Sequence, residues 1–157
     1  MEKVYIGIDI GVQGAIAVIS ENKVPIKIYA LPIIEIDIAG KKRKDGSSKT
    51  RRIYNEKKIR ELFVKLQRTF NIKYVCIERP IAMPKLPSFN IAAMFEGFGY
   101  LKGVMSGLDI TYGAVMPSLW TKDLLQNIKK KMNETPNAYK KRKKRRSIEK
   151  VTDLFPE

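Results

Sequence analysis

Two carboxylates, Asp9 and Glu78, each follow an apolar run typical of a strand. Together they could form a catalytic site. Asp9 stands directly before a turn that contains Gly11 and Gly14. Burying such an acid among apolar residues requires a compensating cation, whereas a turn aspartate would only cap a hairpin. Two acids held close together either share a proton or bind cations. Glu78 could instead form an ion pair with the adjacent Arg79.

The composition restricts the chemistry available to these acids. The 157 residues include no histidine, which excludes histidine bases, Ser-His and Cys-His nucleophile pairs, and histidine metal sites. Oxygen-seeking metals such as Mg²⁺ remain. A net charge of +15 favours a nucleic acid or another anionic partner. Two-metal hydrolysis of a phosphodiester therefore fits, although such a site usually needs a third carboxylate.

Length and cysteine content predict one cytoplasmic domain. A chain of 157 residues is long enough for a single domain with a real core. The lone cysteine, Cys76, excludes an internal disulfide, suits a reducing cytoplasm and is expected to be a buried core thiol. No apolar stretch reaches the length of a membrane span, and the N-terminus lacks a signal-peptide pattern, so we expect no membrane partner.

The hydrophobic pattern predicts the elements that position the two acids. The predicted strands are 3–9, 14–20, 23–30, 72–78 and 109–115, and the predicted helices are 56–70, 89–107, 117–131 and a short final one. The order β-β-β-α-β-α-β-α predicts an α/β fold with a mixed sheet and helices on its faces. The first and fourth strands can then lie parallel, which would bring Asp9 and Glu78 together at their carboxyl ends.

Three segments carry a family resemblance: GIDIG with GAIA (7–11 and 14–17), IERP with MP (77–80 and 83–84), and VMPSLW (115–120). Over residues 3–156 the chain resembles the RuvC-type Holliday junction resolvases, especially their phage branch. The resemblance implies a ribonuclease H-like fold, a mixed five-stranded sheet with helices on both faces. It also implies that Asp9 and Glu78 are catalytic ligands of Mg²⁺, with Mn²⁺ able to substitute, and that Asp9 bridges the metals.

The chain departs from the family pattern at its C-terminal end. In the family, a loop and a final helix with one or two catalytic aspartates follow the Leu-Phe-Pro element. Here the sequence stops at Glu157, directly after residues 154–156. Asp153 precedes the element, so the family role does not transfer to it. We interpret 1–157 as a single ribonuclease H-like nuclease domain lacking a C-terminal helix, either truncated or with an incomplete metal site.

Two basic segments flank the acids, a predicted basic loop at 39–52 and a predicted basic linker at 129–146. They hold more than half of the 31 basic residues. Charge runs are usually solvated faces, but two such runs beside one carboxylate pair favour contacts with backbone phosphates. The candidate DNA-binding residues are Lys41, Lys42, Arg43, Lys44, Arg51, Arg52, Arg79, Lys85, Lys122, Lys140, Arg142, Arg145 and Arg146.

The loop after Glu78 contains three prolines and is predicted to be extended and stiff. Its apolar residues Ile81 and Met83, with the nearby Phe89, could act as a wedge at a DNA junction, since exposed apolar side chains can unstack base steps. The loop could equally fold back onto the sheet. Trp120 is expected in the core rather than as a base-stacking platform.

The leading hypothesis is a Mg²⁺-dependent, structure-selective endonuclease that resolves four-way (Holliday) or other branched DNA. A homodimer is expected, because a four-way junction has two symmetric strands to cut. The site of action would be the cytoplasm, that of the host cell if a phage encodes the protein. The alternative is a non-catalytic branched-DNA-binding protein on the same fold. A nucleotide-using kinase or ATPase is disfavoured, because no Gly-x-x-x-x-Gly-Lys-Ser/Thr phosphate loop is present.

Overall fold

The computed structural model describes residues 1–11, 13–82, 88–125 and 128–154. The chain divides into two compact units, residues 1–114 and 115–157, which we describe separately. The elements are β1 (Lys3–Ile8), β2 (Ala15–Ser20), β3 (Pro25–Ala30), β4 (Ile33–Lys42), β5 (Ser48–Tyr54), α1 (Glu56–Thr69), β6 (Asn71–Glu78), α2 (Ser88–Gly107), β7 (Tyr112–Val115), α3 (Pro117–Leu125) and α4 (Pro136–Leu154).

The central sheet has five strands in the order β3-β2-β1-β6-β7. The first three strands form an antiparallel meander, and β1 pairs with β6 in parallel. Alternate residues of β1, namely Val4, Ile6 and Ile8, are at most 3% exposed, as a strand with one buried face requires. The predicted mixed sheet and the parallel pairing of the first and fourth predicted strands are therefore confirmed.

Two helices complete the core of the first unit. Helix α1 buries Ile59, Phe63 and Leu66, whose spacing places them on one face. Its N-terminus is capped by Asn55, whose side chain accepts a hydrogen bond from the Lys58 backbone N–H at 3.1 Å. Helix α2 adds apolar residues near its C-terminal end, including Leu101, to the same cluster.

The predicted basic loop at 39–52 is mostly strand. β4 and β5 pair as an antiparallel hairpin, and only residues 43–47 form the turn between them. The turn is closed by Arg43 N–H to Ser47 O at 2.8 Å, and the Asp45 carboxylate accepts from the Ser47 backbone. A sequence signal existed, because isoleucines alternate with Glu35 and Asp37 in β4. The number of charges obscured this period of two.

In the second unit, the predicted basic linker at 129–146 is largely helical, because α4 already begins at Pro136. Thr135 caps this helix by accepting a hydrogen bond from the Ala138 N–H at 3.2 Å. A threonine cap followed by proline at the first helical position is a standard start signal, which the density of charge concealed. Across the described ranges, none of the helices is both long and apolar enough to span a bilayer.

Candidate active site and nucleic-acid interface

Asp9 and Glu78 continue two neighbouring parallel strands. Ile8 and Ile77 are paired across β1 and β6, so the two acids are the next residues on each side. Asp9 extends the ladder further, because its N–H donates to Ala15 O at 3.0 Å. Ile8 and Ile77 point into the core, and the alternation of a strand therefore places both acids on the opposite face. The sheet thus brings together two residues that are far apart in sequence.

The interpretation of Asp9 as a buried acid is wrong, because its side chain is exposed to solvent. The cause is the alternation just described, which aims Asp9 away from the core while Ile8 and Ile10 are 3% and 2% exposed. Water can solvate the carboxylate, so burial creates no need for a cation. Glu78 is half-buried and engaged in interactions of its own.

The turn after Asp9 depends on Gly14. The Gly14 N–H donates to Gly11 O at 2.8 Å, and the Gly14 carbonyl accepts from the Leu31 N–H at 2.9 Å. A Cβ on Gly14 would overlap the carbonyl oxygen of Asp9 and would lie 2.7 Å from the Gly11 nitrogen. Glycine is therefore needed here for close backbone approach.

Tyr54, at the end of the hairpin, contacts the same turn, and sequence reasoning missed it. Its hydroxyl donates to Ile10 O at 3.2 Å. On the other side, a Cβ on Gly97 of α2 would overlap the Tyr54 ring, so ring and helix are in close contact. Burial and the negative charge of Asp9 both raise the pKa of Tyr54. Tyr54 therefore links the hairpin, α2 and the backbone beside Asp9, and no local sequence signal indicates this.

The donor chemistry of the acid pair fits Mg²⁺, which prefers oxygen ligands and usually keeps several waters beside one or two carboxylates. Asp9 and Glu78 would supply the two carboxylates. Within the part of the chain that the structure describes, no group of three or more acidic, cysteine or histidine side chains is arranged to hold a metal ion.

The basic residues of the hairpin are exposed, and several are oriented by neighbours. Arg52 forms an ion pair with Glu35 across the two strands, with Nε and Oε1 2.9 Å apart. Arg43 donates to the Thr50 hydroxyl at 3.2 Å. Exposed pairs of this kind contribute little to stability, on the order of 0–1 kcal/mol. They do restrict where the guanidinium groups lie.

The predicted DNA-binding residues of the second unit include arginines that are already paired. Arg142 binds the Glu134 carboxylate through Nε at 2.8 Å and Nη2 at 2.7 Å, and this contact lowers the pKa of Glu134 to about 2. Arg145 and Arg146 both contact Glu149, at 2.9 and 3.3 Å. Their role toward DNA, like that of Lys122 and Lys140, stays a prediction.

The wedge candidates are only partly within the described chain. Ile81 is 40% exposed, which suits a contact with a partner. Met83 and Lys85 lie outside the described residues, as does the Phe89 side chain. Trp120, which we expected in the core, is 39% exposed. Cys76 is half-buried rather than a core thiol. The next residue of the strand, Ile77, points into the core, so the alternation of side chains turns Cys76 toward the other face of the sheet.

The fold is similar to that of a known structure. The chain aligns with T. thermophilus RuvC in complex with a Holliday junction substrate, with a TM-score of 0.60 and 11% sequence identity over 97% of this chain and 79% of that chain. The chain has a RuvC-like fold. This agrees with the ribonuclease H-like sheet predicted from the sequence.

A further structural similarity is weaker. A second structure of Thermus thermophilus RuvC aligns at a TM-score of 0.46 and 11% identity over 96% of both chains, a similarity too low to carry weight. No protein-family model matches the chain. No curated protein sequence matches it either.

Proposed function

We propose that this protein is a divalent-metal-dependent endonuclease that cuts branched DNA, with a four-way junction as its substrate. The observation that carries the proposal is the pairing of Ile8 with Ile77, which sets Asp9 and Glu78 side by side on one face of a RuvC-like sheet. The net charge of +15 supports a polyanionic substrate. The RuvC structure with TM-score 0.60 was solved with a Holliday junction, which supports this choice of DNA.

In this proposal Asp9 and Glu78 hold Mg²⁺, with Mn²⁺ able to take its place. When bound, the metal would supply a Lewis acid and an activated water for phosphodiester hydrolysis. Tyr54 positions the backbone next to Asp9 through its hydrogen bond to Ile10 O. The arginines and lysines of the hairpin bind phosphates and orient the strand. Homodimeric assembly, the phage affiliation and a cytoplasmic location stay predictions from the sequence.

The proposal is tested with a synthetic four-way junction and Mg²⁺. We expect Asp9→Asn and Glu78→Gln to lower the cleavage rate by more than about 100-fold, since loss of residues that merely support metal ligands already costs 10–100-fold. Junction binding, measured by gel shift without metal, should persist. The matched control is Asp109→Asn, an exposed acid whose positive φ of 53° an asparagine tolerates.

Three outcomes would contradict parts of the proposed function. Cleavage by Asp9→Asn at the wild-type rate would overturn the proposed site. Cleavage that persists in a chelator would overturn the metal dependence. Tight, salt-sensitive junction binding without any cleavage by the wild-type protein would select the non-catalytic DNA-binding alternative.

A further inference from the structure

A cleft of about 650 Å³ lies in the first unit, between the β4–β5 hairpin and the N-terminal half of α2. Its volume is in the range of small-molecule sites in proteins. It is lined by hairpin residues, among them three arginines, and by residues of α2. The cleft is built from different residues than the carboxylate pair, although Gly11 of the neighbouring turn lines it.

The rim of the cleft is cationic. Of the described residues that line it, Arg43, Arg51 and Arg52 are basic and only Glu35 is acidic. Glu35 is paired with Arg52 at 2.9 Å, so the rim keeps an excess of positive charge. Guanidinium groups in such an arrangement bind phosphate oxygens well, because their donors match the geometry of the anion.

The floor of the cleft is apolar. It is formed by the ring of Tyr54 with Ala93 and Met94 of α2, all half-buried. Asn90, one turn earlier on α2, adds an amide that can donate and accept hydrogen bonds. An aromatic ring beside basic groups is the usual arrangement for stacking an unpaired base. An asparagine amide can hydrogen-bond to the edge of a base.

The cleft adjoins the carboxylate site through Tyr54. The ring of Tyr54 lines the cleft, while its hydroxyl donates to Ile10 O in the turn that follows Asp9. An occupant stacked on this ring would lie beside the backbone that carries Asp9. The basic side chains also continue beyond the cleft, at Lys41 and Lys42 of the hairpin, which suits a polymer better than a free nucleotide.

We propose that this cleft binds an unpaired nucleotide of the DNA substrate, with the base on the Tyr54–Met94 floor and a phosphate against the arginine rim. The inference rests on the proposed function and deepens it. The protein would select branched DNA by an unstacked nucleotide at the branch point, in addition to contacts with duplex backbone. Fully paired duplex would leave the cleft empty.

The test is photocross-linking with 5-iodo-2′-deoxyuridine placed at the branch point of a four-way junction, in chelator so that cleavage plays no part. We expect cross-links at Tyr54 or at residues 93–94, mapped by mass spectrometry. The same label in the middle of a duplex arm should give none there. Cross-links elsewhere on the protein without any in the cleft would overturn the proposal.

Two variants sharpen the test. Ala93→Phe fills the floor and should lower the cleft cross-link by about tenfold, since stacking of one base contributes 1–3 kcal/mol. Asn22→Phe, in the exposed turn between β2 and β3, is the matched control and should leave the yield unchanged. Arg43→Gln, on the exposed rim, should also lower the yield without perturbing the core. An unchanged yield in Ala93→Phe and Arg43→Gln, with far-UV circular dichroism as in the wild type, would contradict the cleft.

The outcomes separate this inference from the proposed function. Cross-links in the cleft without Mg²⁺-dependent cleavage would support the cleft and overturn the nuclease. Cleavage of the junction without cross-links in the cleft would support the nuclease and overturn the assignment of the cleft. An equimolar amount of free thymidine monophosphate should not reduce the cross-link. A large reduction would assign the cleft to free nucleotides and overturn its assignment to DNA.

Discussion

At the residue scale, the position of Asp9 depends on its neighbours in the backbone rather than on burial. Its N–H is tied to Ala15 O, and Gly14 packs against its carbonyl oxygen. Tyr54 holds the next carbonyl, that of Ile10. Each of these contacts acts on the main chain, so the carboxylate itself stays accessible to a metal ion and to DNA.

Gly14→Ala should therefore disturb the site more than the addition of a single methyl group suggests. The new Cβ would overlap Asp9 O, and the backbone would have to shift, which we expect to lower the free energy of unfolding by about 1–3 kcal/mol. Urea denaturation measures this, and junction cleavage should fall as well. Gly7→Ala is the control, because a Cβ there meets no atom within 4 Å. Equal effects of the two substitutions would contradict the role given to Gly14.

At the element scale, each of the two most basic segments contains an ion pair. The hairpin has its Arg52–Glu35 pair, and the start of α4 has the contact of Arg142 with Glu134. The Glu134 side chain is only 10% exposed and also accepts from the Lys131 N–H at 3.1 Å. This acid therefore ties the segment before α4 to the helix itself.

The contact between Glu134 and Arg142 should make the free energy of unfolding depend on pH in the acid range. Its pKa is about 2 in the folded protein against an ordinary value of 4.5, so its stabilising effect is complete above pH 4.5 and is lost as the pH falls toward 2. Glu134→Gln should be less stable than the wild type at pH 7, and the difference should disappear near pH 2. Urea unfolding followed by circular dichroism measures it.

The control for this experiment is Glu149→Gln. Arg145 and Arg146 lower the pKa of Glu149 as well, but its side chain is 41% exposed, so solvent weakens the pair. We expect Glu149→Gln to lower the free energy of unfolding at pH 7 by less than Glu134→Gln does. A difference for Glu134→Gln that stays constant from pH 7 to pH 2 would show that the ion pair is not its cause.

At the scale of the whole molecule, the distribution of charge matters more than its total. The chain carries +15, and the hairpin of the first unit presents a continuous basic run at 41–44 beside the arginine-rimmed cleft. The acid pair lies on the same unit, at the carboxyl ends of β1 and β6. Long-range attraction would bring DNA to the protein, and the hairpin would determine where the strand lies.

DNA binding should accordingly weaken steeply with salt. Replacing Lys41, Lys42 and Lys44 by alanine should make the slope of log K against log salt shallower by about 0.9 for each DNA phosphate that the protein no longer neutralises. Titrations by fluorescence anisotropy at several salt concentrations measure the slope. The control replaces Lys57, Lys65 and Lys73, exposed lysines of α1 and β6, and changes the net charge equally. An equal change of slope in both variants would exclude the hairpin as the specific interface.

Much of the fold could be predicted from local patterns. The alternation in β1, the helical spacing of Ile59, Phe63 and Leu66, and the Asn55 cap each depend on neighbours a few residues apart. The parallel pairing of β1 with β6 also followed from the order of elements. The hairpin and the early start of α4 were missed, because charge hid a period of two in one case and a Thr-Pro cap in the other.

The residues alone indicated the two acids and, by excluding histidine, the chemistry they could support. The folded chain was needed to show that Asp9 is exposed, that Tyr54 contacts the turn beside it, and that the hairpin arginines and Met94 line the same cleft. The physical reason is the distance along the sequence over which each interaction acts. Periodicity and caps arise from interactions between near neighbours, whereas Tyr54 and Ile10 are 44 residues apart and meet only when the hairpin packs beside the sheet.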